Sequence, residues 1–199
     1  MTKQPLVQRF TLSLSIALTL GIAVLFLLAS PEVGTAENSW AKFDKEGNLL
    51  RPDGWRDWIY VGTPLTPNEL NPPAAPFPEF HNVYIDPDSY SHYKKTGKFR
   101  EGTILVKELV SVGSKAAASG KGYFMGEFVG LEATVKSAKR FPKEPGNWGY
   151  FTFSHEPPPY PATAKIQPTA ACNVCHQGSA ADDWVFTQYY PVLRAAKGK

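Results

Sequence analysis

"GTILVKELV", residues Gly102–Val110, is the stretch on which the fold turns. Its centre is apolar and β-branched, it holds no proline, and it is short for a helix, so it predicts a strand. Strand alternation places Thr103, Leu105, Lys107 and Leu109 on one face. "YFMGEFVGLEATVKSA" (Tyr123–Ala138) reads as a second, longer strand. Its Gly126 and Gly130 mark places for a bulge or a close backbone approach. "WGYFTFS" (Trp148–Ser154) is an aromatic strand, and "FHNVYID" (Phe80–Asp86) alternates with His81, Val83 and Ile85 on one face. "PDSYSHYKKTGKF" (Pro87–Phe99) predicts a helix that starts at Pro87, carries Lys94 and Lys95 near its end, and stops at Gly97. A short helix is expected around "DGWRDWIY" (Asp53–Tyr60). Another is expected from Asp182, to be kinked or ended by Pro191. Ser111–Gly122 reads as a small-residue loop, Pro72–Pro78 as an extended surface segment, and Glu156–Ala170 as a connector. The sum is an α+β fold, mainly an antiparallel sheet with a few helices.

Composition sets the outer bounds. The chain has 199 residues, 43% hydrophobic and 13% aromatic, enough for one core. Its net charge of +3 is too mild to argue for nucleic acid. The N-terminus reads as an export signal. Lys3 and Arg9 precede an uncharged run from Phe10 to Ala29, and the small residues Gly34 and Ala36 suit cleavage after Ala36. The run is also long enough for an uncleaved membrane anchor. Residues 1–36 are therefore a signal peptide or signal anchor. Residues 37–199 form a single domain outside the cytoplasm, in an oxidising compartment.

The chain's two cysteines lie in "TAACNVCHQG", Thr169–Gly178. A thioredoxin-like dithiol expects a βαβ pattern before the motif, and a Pro/Ala/Thr connector stands there instead. A structural zinc needs four ligands, and His81, His92 and His155 are scattered without ligand spacing. A plain disulfide leaves the adjacent His176 without a role. Haem c uses all three residues: Cys172 and Cys175 form thioethers to the vinyl groups, and His176 is the proximal iron ligand. No Met or His follows His176, and Met125, the only methionine outside the signal, falls in a predicted strand where core packing is its ordinary role. The pattern therefore favours an open distal position, and with it ligand binding or catalysis rather than simple electron relay. An upstream histidine as sixth ligand stays open.

Two upstream residues carry further chemistry. Lys107 shares a largely apolar face. It is either an edge-strand lysine that lays its stem along the sheet with its ammonium in water, or a desolvated lysine whose neutral amine is a nucleophile. Glu132 alternates with Phe124, Gly126, Phe128 and Gly130. On that face it is a candidate general base with a raised pKa. The alternatives are a Glu132 paired with a nearby lysine, or Glu127 as the buried acid.

The segments "GTPLTPNELN", "VYIDPDSYSHYKKTGKFREGT", "VKELVSVG", "GYFMGEFVGLEA", "RFPKEPGNW", "CNVCH" and "VFTQYYPVLRAAK", in this order from about Glu37 to Lys197, closely resemble the cytochrome P-460 family. These are bacterial periplasmic haem proteins related in fold to the β-sheet cytochromes c′. The resemblance implies an exported mono-haem c-type enzyme that oxidises hydroxylamine, and in some members acts on nitric oxide, with nitrous oxide or nitrite as product. It implies that Lys107 is joined to the porphyrin edge and that Glu132 is a distal carboxylate taking protons. His81 falls where the family places a distal-pocket polar residue, sometimes an arginine. Phe124 and Phe128 are expected to keep the pocket dry. A periplasmic cytochrome c is the implied electron acceptor, and a homodimer the implied assembly. The competing readings are a non-catalytic nitric-oxide-binding protein like cytochrome c′-beta, and an electron-transfer cytochrome c with Met125 or a histidine as sixth ligand.

Overall fold

The computed structural model describes residues 40–199. The export signal expected over 1–36 lies outside them. In chain order the strands are β1 (Leu49–Leu50), β2 (Ile59–Gly62), β3 (Phe80–Ile85), β4 (Ile104–Val112), β5 (Ala116–Ala117), β6 (Gly120–Lys121), β7 (Met125–Lys136), β8 (Trp148–Ser154) and β9 (Thr163–Ala164). The helices are α1 (Pro87–Thr96), α2 (Thr169–Ser179) and α3 (Pro191–Ala196). Five strands form one antiparallel sheet in the order β2-β3-β4-β7-β8. This is an α+β fold dominated by antiparallel pairing, as the strand patterns imply.

"GTILVKELV" becomes the middle strand, β4. Both of its faces are covered, which explains an apolar run in place of clean alternation. On one face Ile104 and Val106 join Leu131, Ala133, Val135, Phe151 and Phe153, packed under Leu49, Trp58, Phe141 and Tyr160. On the other, Leu105 joins Val83, Ile85, Trp148 and Tyr150, packed against Tyr93, Phe99, Val185, Tyr190 and Leu193. Tyr93 comes from α1 and Leu193 from α3, so those helices lie on this second face. The cross-strand register carries the same face sideways: His81 opposes Leu109, Val83 opposes Lys107, and Lys107 opposes Glu132.

Helix α1 follows its sequence signals. The Asp86 carboxylate caps it by accepting the Ser89 N–H at 2.8 Å, and Gly97 ends it at φ 69°. Three expectations need correction. "DGWRDWIY" gives only a 3-10 turn, Trp55–Asp57, after which Ile59–Gly62 pairs with β3 as an edge strand. The β-branched and aromatic side chains of Ile59, Tyr60 and Val61 gain more from the sheet than from a helix. No helix starts at Asp182, because Asp183 (φ 45°) and Trp184 (φ 59°) are left-handed. Pro191 opens α3 instead of kinking or ending a helix, since the first helical residue needs no N–H. The Ser111–Gly122 loop closes on itself through the short β5–β6 ladder.

The glycines of β7 do mark an irregularity. Leu109 opposes Gly130 while Val110 opposes Phe128, so an extra residue is accommodated between them. A Cβ on Gly130 would stand 2.9 Å from Leu109 Cδ1 and 3.0 Å from the Ser154 carbonyl. The bulge changes the parity of the strand. Glu132 keeps the face of Lys107, whereas Phe128 turns to the face of Val110.

Candidate functional site

Helix α2 carries the CxxCH motif, with Cys172, Cys175 and His176 on consecutive turns. Its buried Asn173 donates through Nδ2 to the Trp148 carbonyl at 3.3 Å, which docks the helix on β8. Both cysteines are free thiols, Cys175 exposed and Cys172 partly covered by the core of this face. The His176 ring lies between Tyr150 and Phe186, with centroids 4.5 Å from each. Its Nδ1 is 2.8 Å from the Trp184 carbonyl, an acceptor only, so Nδ1 carries the hydrogen and donates it. Nε2 is then the nitrogen left with a lone pair. Burial pushes the His176 imidazole below its ordinary pKa and keeps it neutral, the form that binds metal.

The loop behind this bond is itself fixed. Asp183 accepts from Lys136 Nζ at 2.9 Å and from Trp148 Nε1 at 3.3 Å. The Trp184 ring covers Gly146, where a Cβ would come within 2.4 Å of it. The left-handed pair at Asp183 and Trp184 is what turns the carbonyl toward His176.

On the same face of the sheet, Lys107 Nζ sits 2.5 Å from Glu132 Oε2. His155, one residue past β8, places Nε2 2.7 Å from Glu132 Oε1. Phe77 closes the group: the Lys107 ammonium lies 4.5 Å from its ring centroid, and the rings of His81 and His155 meet it nearly edge-on at 6.0 and 6.1 Å. Burial pushes the Glu132 carboxyl up, but the Lys107 charge and the hydrogen bonds from Lys107 and His155 outweigh it. The group is held below its ordinary pKa of 4.5. The raised value expected from the sequence is thereby overturned, and the paired alternative holds. Burial, then the Lys107 charge, pushes His81 down to about 4, so its ring is neutral at pH 7. Its Nε2 is buried without a hydrogen-bond partner.

The two groups feel each other. The charges of Glu132 and Lys107 act on both the Cys172 thiol and the His176 imidazole. The structure thus brings His81, Lys107 and Glu132 into one cluster and sets Cys172, Cys175 and His176 beside it. The free thiols, the neutral imidazole with one nitrogen committed, and the orphaned His81 Nε2 fit a haem c.

Other expectations change. Met125 is half-exposed rather than core, and its sulfur lies 3.7 Å from Asn82 Nδ2. Asn82 opposes Glu108, which puts Met125 on the face away from His176 and removes it as a sixth ligand. Phe128 does not dry the pocket, because the bulge points it to the other face. There its ring lies 4.4 Å from the Arg56 guanidinium. Glu127 is exposed and is not a buried acid. Phe77 and His155 escaped the sequence reading. Phe77 hid in a proline-rich surface segment, and His155 was visible only as a histidine just beyond the strand that neighbours Glu132.

Residues 52–187 match the family model described as Cytochrome P460. That span includes the whole cluster and the CxxCH helix. No curated protein matches the chain.

Proposed function

The chain belongs to the cytochrome P460 family, and on that premise we propose that it is an exported c-type haem oxidoreductase that oxidises hydroxylamine, and also acts on nitric oxide, yielding nitrous oxide or nitrite. One observation carries this reading: a lysine–carboxylate pair stands on the same sheet face as the CxxCH helix, close enough for its charges to act on Cys172 and His176.

Cys172 and Cys175 hold the haem through thioethers, and His176 Nε2 holds its iron. When bound, the haem would supply the redox centre for electrons leaving the substrate nitrogen, with a periplasmic cytochrome c as their acceptor. Lys107 forms the covalent link to the macrocycle. Glu132 takes up the protons that the substrate nitrogen loses. As a carboxylate paired with an ammonium it is a weak base. With its nitrogen joined to the macrocycle, Lys107 would no longer offer an ammonium, and burial, which pushes the Glu132 carboxyl up, would be opposed by His155 alone. His81 presents a neutral, unpartnered nitrogen to the substrate side, and Phe77 covers part of the Lys107 ammonium. The working unit is a homodimer in the periplasm, its haem domain following the signal at 1–36.

The test is a pair of variants. Lys107→Ala should turn a strongly red-shifted ferrous Soret band into an ordinary c-type spectrum. Glu132→Gln should keep the wild-type spectrum and lose about a hundredfold or more in hydroxylamine turnover. An ordinary spectrum in the wild type would remove the cross-link. Full turnover in Glu132→Gln would remove the base, and with it the preference over a nitric-oxide-binding protein without catalysis.

A further inference from the structure

We propose that His155 is the proton exit for Glu132, carrying each proton the carboxylate takes up from the active site to bulk water. The inference rests on the reading of Glu132 as the proton acceptor.

The geometry is specific. Glu132 uses its two oxygens differently: Oε2 faces Lys107 at 2.5 Å, and Oε1 faces His155 Nε2 at 2.7 Å. Lys107 points into the cluster, and once joined to the macrocycle it no longer exchanges protons freely. His155 points outward. Its side chain is 54% exposed, against 17% for Glu132. Of the two titratable partners that bond to Glu132 among the described residues, the imidazole is thus the more exposed, at 54% against 26% for Lys107. Phe77 meets the ring edge-on at 6.1 Å. The charged or titratable groups around the pair are Lys107 from β4 and His81 from β3. His81 is neutral at pH 7 and lacks a partner at Nε2, so it offers no competing path from the carboxylate.

The transfer balances. Protonated Glu132 gives its proton from Oε1 to Nε2 of a His155 that carries hydrogen on Nδ1. The imidazolium then loses its Nδ1 hydrogen to water. Glu132 is again a carboxylate and one proton has left the site; the ring then turns out to water, exchanges its Nε2 hydrogen there and returns with its hydrogen on Nδ1. Imidazole suits the task because one ring nitrogen can accept a proton while the other gives one up. His155 acts through Glu132 and need not touch substrate, so it is a positioning and proton-carrying residue.

The holoenzyme with His155→Ala tests it. Haem absorption should be unchanged, because the contacts of His155 run to Glu132 and Phe77. Turnover at neutral pH should fall about tenfold, less than the loss on removing a direct general base. Added imidazole should restore it in a concentration-dependent way, and the alkaline arm of activity should rise as hydroxide replaces the lost carrier. A second readout needs no turnover. The infrared band of the protonated Glu132 carboxyl, identified by its absence in Glu132→Gln, should appear at higher pH in His155→Ala, because a donor to the carboxylate has gone. Wild-type turnover and pH profile in His155→Ala, with Glu132→Gln inactive, would overturn the exit path and leave the base standing. Wild-type turnover in both variants would instead overturn the base. A loss that His155→Gln repairs and imidazole does not would reduce His155 to a hydrogen-bond donor, and that too overturns proton carriage.

Discussion

Lys107 and Glu108 are neighbours on β4, and they point to opposite faces of the sheet. Each makes an ion pair across its own face, Lys107 with Glu132 and Glu108 with Arg56. Each cation lies over a phenylalanine ring, Lys107 over Phe77 at 4.5 Å and Arg56 over Phe128 at 4.4 Å. The pairs nevertheless do different work. Glu108 is wholly buried and receives two hydrogen bonds from Arg56, at 2.5 Å to Oε1 and 3.2 Å to Oε2, while Arg56 reaches the surface. Its neighbours among the described residues include Arg56, Tyr84 and Tyr160, on the Trp55 side of the core. The carboxylate of the Lys107 pair is less buried, at 17% exposed, is shared with His155, and stands beside a helix carrying two free thiols and a neutral imidazole. The same chemistry of charge and ring is structural on one face and a candidate for catalysis on the other. What decides is the layer that each face receives.

The sharpest way to break this comparison is to remove each cation. Arg56→Ala leaves a fully buried carboxylate unpaired, which should cost about 3–5 kcal/mol in chemical denaturation while the haem spectrum of the surviving fold stays normal. The double variant Arg56→Met with Glu108→Leu should recover most of that loss, since no charge is then left without a partner. Lys107→Ala should cost about 1 kcal/mol or less, because Glu132 still has His155 and partial access to water, yet it should change the haem spectrum. If Arg56→Ala altered the spectrum, or Lys107→Ala unfolded the protein, the division of labour between the faces would be wrong.

Acid separates the faces by a second route. His81 sits on the Lys107 face with a folded pKa of about 4, below its ordinary 6.5. The folded state therefore binds fewer protons than the unfolded state between those values. Its stabilising contribution is full above pH 6.5, declines as pH falls, and has been lost by about pH 4, a change of about 3 kcal/mol. The contribution of Glu132, held below 4.5, is lost only further down, as pH drops through its folded value. Stability measured from pH 7 to 4.5 should thus slope downward in the wild type, and the slope should flatten in His81→Gln. It should persist in the Arg56→Met with Glu108→Leu variant, because the other face holds no such histidine. An unchanged slope in His81→Gln would show that the ring is not held neutral by its site.

Much of this arrangement was legible before any coordinates. Apolar runs and turn residues located the four long strands and α1, and strand parity alone put Lys107 on the face of Leu105 and Leu109. The spacing of Cys172, Cys175 and His176 pointed to a haem protein, and the family match supports that coarser reading. Three things were not legible, for physical reasons. Parity fails at a bulge, so Phe128 was assigned to the wrong face although Gly130 announced an irregularity. Burial of a charge depends on its partner: Glu108 is wholly buried because Arg56, 52 positions earlier, pairs with it. Residues from irregular segments, Phe77 and His155, reach the site through tertiary placement that no local pattern encodes. The pKa direction of Glu132 failed for the same cause, since it reports a partner rather than the strand it sits on.

The smallest expected effect is the most discriminating, because it compares two nearly matched rings. Phe77 is 37% exposed and Phe128 38%. Each gives its cation a contact worth about 0.5–1 kcal/mol at such exposure. Phe77→Leu and Phe128→Leu should therefore lower stability by similar amounts, with Phe128→Leu the milder, since Arg56 also lies 5.1 Å from the Trp55 ring and keeps one aromatic contact. Their effects on turnover should diverge. Phe77 also borders His81 and His155, so its removal loosens the Glu132–His155 bond and admits water to the pair, and hydroxylamine oxidation should drop several-fold. Phe128→Leu should leave turnover unchanged. Equal turnover in the two variants would mean that Phe77, like Phe128, only packs a cation, and the distinction between the faces would then rest on the charges alone.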